Sequence, residues 1–290
     1  MQKPAISSHS HSAHLDRPAL NRLIDLDRYP IDRLDTAEGA ALVAQCQADL
    51  DRDAASTLPG FLRKDALAGL VTEGEGLIPG SRRFERVPRV TYPQGDASEG
   101  SALADEVRGM KHLNANNQIL NYQIPNNSDL RAIYLWPALT EFVRQVRRAP
   151  TLHVSQCPHL ALTMKAAFEG DTDGWHYDPN DGVVTLLLQA ADEGGEFEYA
   201  PNIRNDDDQN YAGVKQLFED PDAVGRRLLQ TAGTFSFFNG KHSMHRVKPV
   251  GPTSRPRLVA IFSYDQRPDQ VFGQYYIEML HTLPQGAPET

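Results

Sequence analysis

Trp175-His176-Tyr177-Asp178, followed by VVTLLLQ from Val183 to Gln189, is the stretch whose reading decides the fold. VVTLLLQ is a bounded apolar run of strand length. Gly194-Gly195 after it signals a turn, and EFEYA then alternates as a second strand. Side chains two apart on a strand share a face, so His176 and Asp178 can hold one ion while Tyr177 turns away. Further on, His245 stands in HSMHRVKPV, which leads into RPRLVAIFSYD, two arginines and another apolar strand.

Two imidazoles and one carboxylate with the opposite coordination positions open make the facial triad used by non-haem Fe(II) oxygenases. His242, three residues before His245, would face the other side of a strand, so His245 is the better third ligand. An arginine one strand beyond suits the far carboxylate of a dicarboxylic cosubstrate, which it can grip with two parallel hydrogen bonds. Arg257 and Arg255 both qualify on this reading. Arg257 is preferred because the apolar strand starts directly after it.

The region from Thr151 onward reads as short strands divided by Gly, Pro, Asn and Asp: TLHVSQ, LALTMKAAFE, VVTLLLQ, GEFEYA, RRLLQ, TFSFF, HRVKPV and RPRLVAIFSY. Such a series means a sandwich or barrel. One helical insert, NYAGVKQLFED, interrupts it. Before it, Asp35 to Glu38 has capping-box spacing ahead of a helix to about Asp51. A second helix is expected over Lys64–Leu77, stopped by Pro79-Gly80. SDLRAIYLW and PALTEFVRQVRR read as two more, the latter with Pro137 at its start. FERVPRVTY reads as a strand whose neighbouring arginines, Arg82, Arg83, Arg86 and Arg89, form a solvated face. Residues 93–127 are rich in turn formers, with ILNYQIP as a strand between the clusters NANNQ and PNNSD, and are expected to form a lid. The expected fold class is mainly β with helical additions. Its core is a double-stranded β-helix, or jelly-roll, over about 151–290, packed with a helical layer over about 21–150. Residues 1–20, including His9, His11 and His14, are expected to be a polar disordered tail.

The chain has 290 residues and a formal net charge of -9, without a basic run, which argues against nucleic acid as a partner. Two cysteines, Cys46 and Cys157, make no disulfide framework and suit a reducing, cytoplasmic setting. No apolar stretch has the length of a membrane span, and the N-terminus has no apolar core of a secretory signal. Oligomeric state is not legible.

The run GWHYDPNDGVVTLLLQAADEGGEFEYAPNIR, with HSMHRVKPV and RPRLVAIFSYD, resembles the Fe(II)/2-oxoglutarate-dependent oxygenases, most of all the branch of free-amino-acid halogenases and related hydroxylases of the BesD and HalD type. The resemblance covers roughly the last half of the chain. It implies His176, Asp178 and His245 as iron ligands, Arg257 (or Arg255) as the 2-oxoglutarate anchor, and O2 as cosubstrate. The halogenases carry a small residue, usually Gly, where this chain has Asp178. The resemblance therefore implies hydroxylation or another oxidation such as desaturation, on a small molecule of the amino-acid type. Trp175, Asn202 and Arg204 are candidate substrate contacts, with packing or turn roles as the alternative reading. A cupin-like metal-binding protein or isomerase on the same barrel is the competing reading, although Asp181 and Glu193 do not supply the acidic spacing such sites use.

Overall fold

The computed structural model describes residues 17–90, 92, 100–178, 183–269, 272, 277 and 280. The expected tail gives way to structure earlier than residue 20. Helix α1 (Arg17–Asn21) is formed, and Leu20 is buried because it packs into the main core. The histidines of the tail lie outside the described residues. Helix α2 (Ala37–Asp53) starts one residue later than the capping-box reading: Thr36 Oγ1 accepts from Gly39 N at 3.2 Å. It buries Val43 and Cys46, and burial pushes the Cys46 thiol up to about 11, which leaves it a packing group rather than a nucleophile. A short strand β1 (Ala55–Leu58) and helix α3 (Lys64–Leu77) follow.

Several expectations fail in the next stretch. Strand β2 is Arg82–Arg86 and stops before Pro88, whose ring cannot continue a ladder. Its Arg83 is not solvated; it donates to both oxygens of buried Asp171, at 2.9 and 2.7 Å. After α4 (Ala102–Gly109), the cluster NANNQ is not a turn but strand β3 (Asn114–Ile119), pairing with β2. Asparagine is a poor strand former in isolation. Here tertiary partners override propensity: Asn117 Nδ2 donates to Ser81 Oγ at 2.7 Å, and Gly174 N donates to Asn114 Oδ1 at 2.7 Å. ILNYQIP gives only the end of β3 and a single turn of 3-10 helix, Asn121–Gln123. The lid reading therefore fails over the described part of 93–127; residues 93–99 lie outside the described residues. Helices α5 (Asp129–Tyr134) and α6 (Pro137–Val146) complete the layer as expected.

The later strands are β4 (His153–Val154), β5 (Leu162–Ala167), β6 (Thr172–His176), β7 (Val184–Gln189) and β8 (Phe197–Ala200). Helices α7 (Tyr211–Glu219) and α8 (Pro221–Val224) precede β9 (Arg226–Arg227), β10 (Thr234–Phe238), β11 (Met244–Val247), β12 (Arg257–Phe262) and β13 (Tyr264–Asp265). TLHVSQ and RRLLQ yield two-residue strands only, β4 pairing with β13 outside the main sheet. Strands β5 to β12 fall into two antiparallel runs, β10-β7-β12-β5 and β6-β11-β8-β9. Successive strands alternate between the runs, except that β9 stays beside β8. That alternation is the double-stranded β-helix. The N-terminal half is not a purely helical layer, because β1 extends the first run beside β10 and β3 joins β5 to β6.

Strand alternation gives the first run two different faces. Met164, Ala166, Phe235, Phe237, Leu258 and Ala260 turn outward into one core with the helices. Thr163, Lys165, Thr185, Val259 and Ile261 turn inward to line a cavity of about 290 Å³. Among the described residues no helix is long and apolar enough to cross a membrane. Phe235 is fully buried, stacked on Phe61 at 4.8 Å and edge-on to Phe237 at 5.3 Å. Phe235→Ala is expected to cost about 3–5 kcal/mol of stability, read from urea denaturation.

Candidate metal centre

His176 and His245 sit directly opposite each other on β6 and β11. Their ring centroids are 4.2 Å apart. Asp178, just past the end of β6, brings its Oδ1 to 3.6 Å from His245 Nε2. The ligand atoms of the three residues all lie within 4.8 Å of one another. Ring orientation is set from behind. His176 Nδ1 bonds Gly174 O at 2.7 Å, and His245 Nδ1 bonds Ser243 O at 3.0 Å. Each Nδ1 therefore carries the proton, and both Nε2 lone pairs are left for a metal. Phe197 stacks on His245 with centroids 5.5 Å apart, and Phe238 meets it edge-on at 4.8 Å.

The carboxylate is held just as closely. Asp178 N donates to Gly240 O at 3.0 Å. A side chain at 240 would place its Cβ 2.0 Å from Asp178 Oδ2. Gly240 is thus the space into which the Asp178 carboxylate fits.

Burial and the neighbouring His245 push the His176 imidazole down to about 4, so it is neutral and ready to coordinate. Burial also favours neutral His245, but the Asp178 carboxylate prevails and holds its pKa above the ordinary value. Burial opposes the charge of Asp178, and His245 more than offsets this and lowers its pKa. Without metal, a proton shared near His245 and Asp178 satisfies the pair, so metal and proton compete.

A β-bulge completes the inner face. Between β11 and β6, His245 pairs with His176 but Val247 pairs with Asp173, so three steps on β6 oppose two on β11. Asp173 and His176 both line the cavity although their spacing would put them on opposite faces of a regular strand. Trp175 between them points the other way. It packs with Tyr211 and Met244, with the Arg246 guanidinium 4.6 Å from its ring centre. It packs in the barrel wall and does not line the cavity. Tyr177 also turns outward, as the alternation requires.

The two candidate anion clamps separate clearly. Arg257, on β12, is buried and lines the cavity, and no group among the described residues accepts a hydrogen bond from its guanidinium. Burial lowers its pKa to about 10. Space for its stem comes from Gly195, at a φ of +67°, where an added Cβ would meet Arg257 Cδ at 3.0 Å. Arg255 lies on the turn before β12 and pairs at 3.3 Å with exposed Asp192. The two are not equivalent, because β12 starts only at Arg257. His242 bonds Asp206 and Asn239 on the outer side.

Asn202 and Arg204 are absent from the cavity wall. Asn202 takes a left-handed turn conformation, φ 42°, and its side chain accepts from Asn239. Arg204 is buried, donates to Lys241 O and Gln209 Oε1, and lies 3.6 Å from the centre of the Tyr177 ring. Both are occupied in shaping the loop after β8. Among the cavity residues that sequence reasoning missed are Lys165, Asp173, Asn116 and Asn114. A lone lysine in the apolar run LTMKAA carried a signal. Asp173 carried none, since only the bulge turns it inward.

The sequence model of the Halogenase D family matches residues 110–273, more than half of the chain. No match was found among curated proteins. Among solved structures, the chain is similar to the non-heme alpha ketoglutarate dependent epimerase SnoN from nogalamycin biosynthesis. That match has a TM-score of 0.51 and 14% identity, over 87% of this chain and 94% of that one. It is also similar to the carbocyclase SnoK of the same biosynthesis, with a TM-score of 0.50 and 12% identity over 85% and 92%. A third is HygX from Streptomyces hygroscopicus, solved with nickel, 2-oxoglutarate and hygromycin B, with a TM-score of 0.50 and 12% identity over 76% and 86%. At these identities the likeness is one of fold.

Gly240→Ala is expected to weaken divalent-metal binding about 10–100-fold while leaving the protein folded, measured by calorimetric titration with Co(II). In the wild type, affinity should fall as pH is lowered, beginning above the ordinary imidazole range because the Asp178 carboxylate raises the pKa of His245, whose proton the metal must displace.

Proposed function

The chain belongs to the Halogenase D family, and from that premise we propose that it is an Fe(II)- and 2-oxoglutarate-dependent dioxygenase that hydroxylates an unactivated C–H bond of a small molecule, a free amino acid or a derivative of one. The observation that carries the choice of hydroxylation is the carboxylate of Asp178, 3.6 Å from His245 Nε2 and seated against Gly240. A halide would need that coordination position. The donor set suits ferrous iron: two nitrogens and one carboxylate oxygen on one side, with the cavity on the other.

With iron, 2-oxoglutarate and O2 bound, the centre supplies oxidative decarboxylation of the keto acid to succinate and CO2, with the second oxygen atom entering the substrate C–H bond. The protein's own residues position and exclude. His176 and His245 present Nε2, held by Gly174 O and Ser243 O. Arg257, at the β12 end of the cavity and without a hydrogen-bonding partner among the described residues, binds the far carboxylate of the keto acid through its two-pronged guanidinium. Phe197 and Phe238, flanking His245, keep water from that side of the metal. The cavity, at about 290 Å³, lies at the lower end of the roughly 300–1,000 Å³ usual for small-molecule sites, which favours a compact substrate.

Loaded anaerobically with Fe(II) and 2-oxoglutarate and then exposed to O2 with an amino-acid panel, the protein should form succinate and add one oxygen mass to a substrate. His245→Ala should abolish both. A chlorine mass gained by the wild type in chloride would overturn the role of Asp178. Arg257→Gln is expected to weaken 2-oxoglutarate binding about 10–100-fold, the loss of charge-assisted hydrogen bonds, measured by calorimetry on the anaerobic Fe(II) protein.

A further inference from the structure

Inside the cavity, apart from the three metal-centre residues and Arg257, the charged side chains among the described residues are Lys165 and Asp173. They come from β5 and β6, which do not pair with each other; β3 runs between them. Gln118 of β3 is in register with Lys165, and Asn114 with Asp173. The lysine ammonium reaches along this amide-lined wall to donate to Asp173 Oδ2. An ion pair taken out of water gives little stability over an apolar pair of the same volume. Yet the bulge in β6 is what turns Asp173 inward to meet it, and bulges beside active sites re-aim side chains.

The pair is also incompletely used. An ammonium has three donors, and Lys165 spends one on Asp173. Oδ1 of Asp173 receives no hydrogen bond among the described residues. Both side chains keep some accessibility, 25% and 12%, and both line the cavity. Between them along β3, Asn116 is buried, lines the cavity, and has an Oδ1 without a partner. An acceptor, a donor and an unsatisfied amide thus lie on one wall.

Charge completes the argument. With neutral histidines, Asp178 and Asp173 balance Lys165 and Arg257. A ferrous ion and the keto-acid dianion balance each other. A third occupant with net charge would stand uncompensated in a cavity with a mainly apolar lining, whereas a dipolar one would not. We propose that Lys165 and Asp173 are the substrate anchor, and that they select a molecule of zero net charge bearing one ammonium and one carboxylate, with an uncharged remainder. The ammonium goes to Asp173 and the carboxylate to Lys165. This rests on the reading of the centre as an iron and 2-oxoglutarate site.

The test is calorimetry on the anaerobic Fe(II)/2-oxoglutarate protein. The probes are L-valine, L-leucine, L-methionine, L-lysine, L-glutamate, isoamylamine and 4-methylpentanoate. At least one of the three neutral amino acids should bind, and the single-charge analogues, lysine and glutamate should bind about 10–100-fold more weakly. Lys165→Met combined with Asp173→Asn removes both charges together and so should stay folded, with thermal stability and 2-oxoglutarate affinity close to wild type. It should lose amino-acid binding about 10–100-fold. Each of the following results would overturn the proposal. One is tighter binding of lysine, glutamate or a single-charge analogue than of any neutral amino acid, or no binding of any neutral amino acid. Another is wild-type amino-acid affinity in the double variant, which would make the pair structural. The third is loss of 2-oxoglutarate affinity in that variant, which would assign the pair to the keto acid. If the wild type itself binds no 2-oxoglutarate with Fe(II), the iron and keto-acid reading fails, and this proposal with it.

Discussion

The register between β6 and β11 is the constraint on which the molecule depends. His176 and His245 meet only because these two residues are direct antiparallel partners. A slip of one residue would turn His245 to the outer face, because side chains alternate along a strand. The register is held from several sides. β8 pairs along the other edge of β11, with His245 opposite Tyr199. Thr172 Oγ1 donates to Val247 O at 2.7 Å at the start of β6. Asp171, buried in the β5–β6 turn, accepts from Phe168 N and from Arg83. A carboxylate far from the chemistry thus fixes where the first ligand strand begins.

Much of this was legible from residue order. His-X-Asp on a strand end, a later histidine and an arginine opening an apolar strand come together in space because strand order brings β6, β11 and β12 into one barrel. Alternation alone separated Tyr177 from its neighbours. What stayed illegible depends on tertiary partners. NANNQ reads as turn residues, yet forms a central strand because its amides bond Ser81 and the Gly174 backbone. Asp173 breaks the strand period through a bulge that no local signal announces. Arg255 looked equivalent to Arg257 until the strand was seen to start at the latter and Asp192 to claim the former. Asn202 and Arg204 are polar residues near a site in sequence, but each is spent on its own loop.

The division of the first strand run explains how such an interior is tolerated. Its outer face joins the helices in one apolar core, which includes Phe61, Phe142, Phe235, Phe237 and Phe262. Burying aromatic side chains of this size contributes roughly 1.5–3 kcal/mol each. The inner face instead carries Lys165 and Arg257, the lysine paired across the cavity wall with Asp173 of β6, beside the Asn116 amide oxygen of β3, which has no partner among the described residues. Those groups cost stability wherever they are not satisfied. Their concentration around the cavity, behind strands whose other face packs the helices, is the distribution expected when stability and ligand recognition are assigned to different sides of the sheet.

The cavity's charges also limit each other. Lys165 pairs with Asp173, the second carboxylate beside Asp178 among the described residues of the cavity. This leaves Arg257 as the cavity cation without a hydrogen-bonding partner among the described residues. If Asp173 were unpaired, it could draw Arg257 away from an incoming anion. Its field already stabilises the charged form of that guanidinium. An anion entering this space therefore meets one unpaired cation rather than a cluster of mixed charge. The geometry thus links two features that look separate in the sequence, a lysine inside an apolar strand and an aspartate three residues before a ligand.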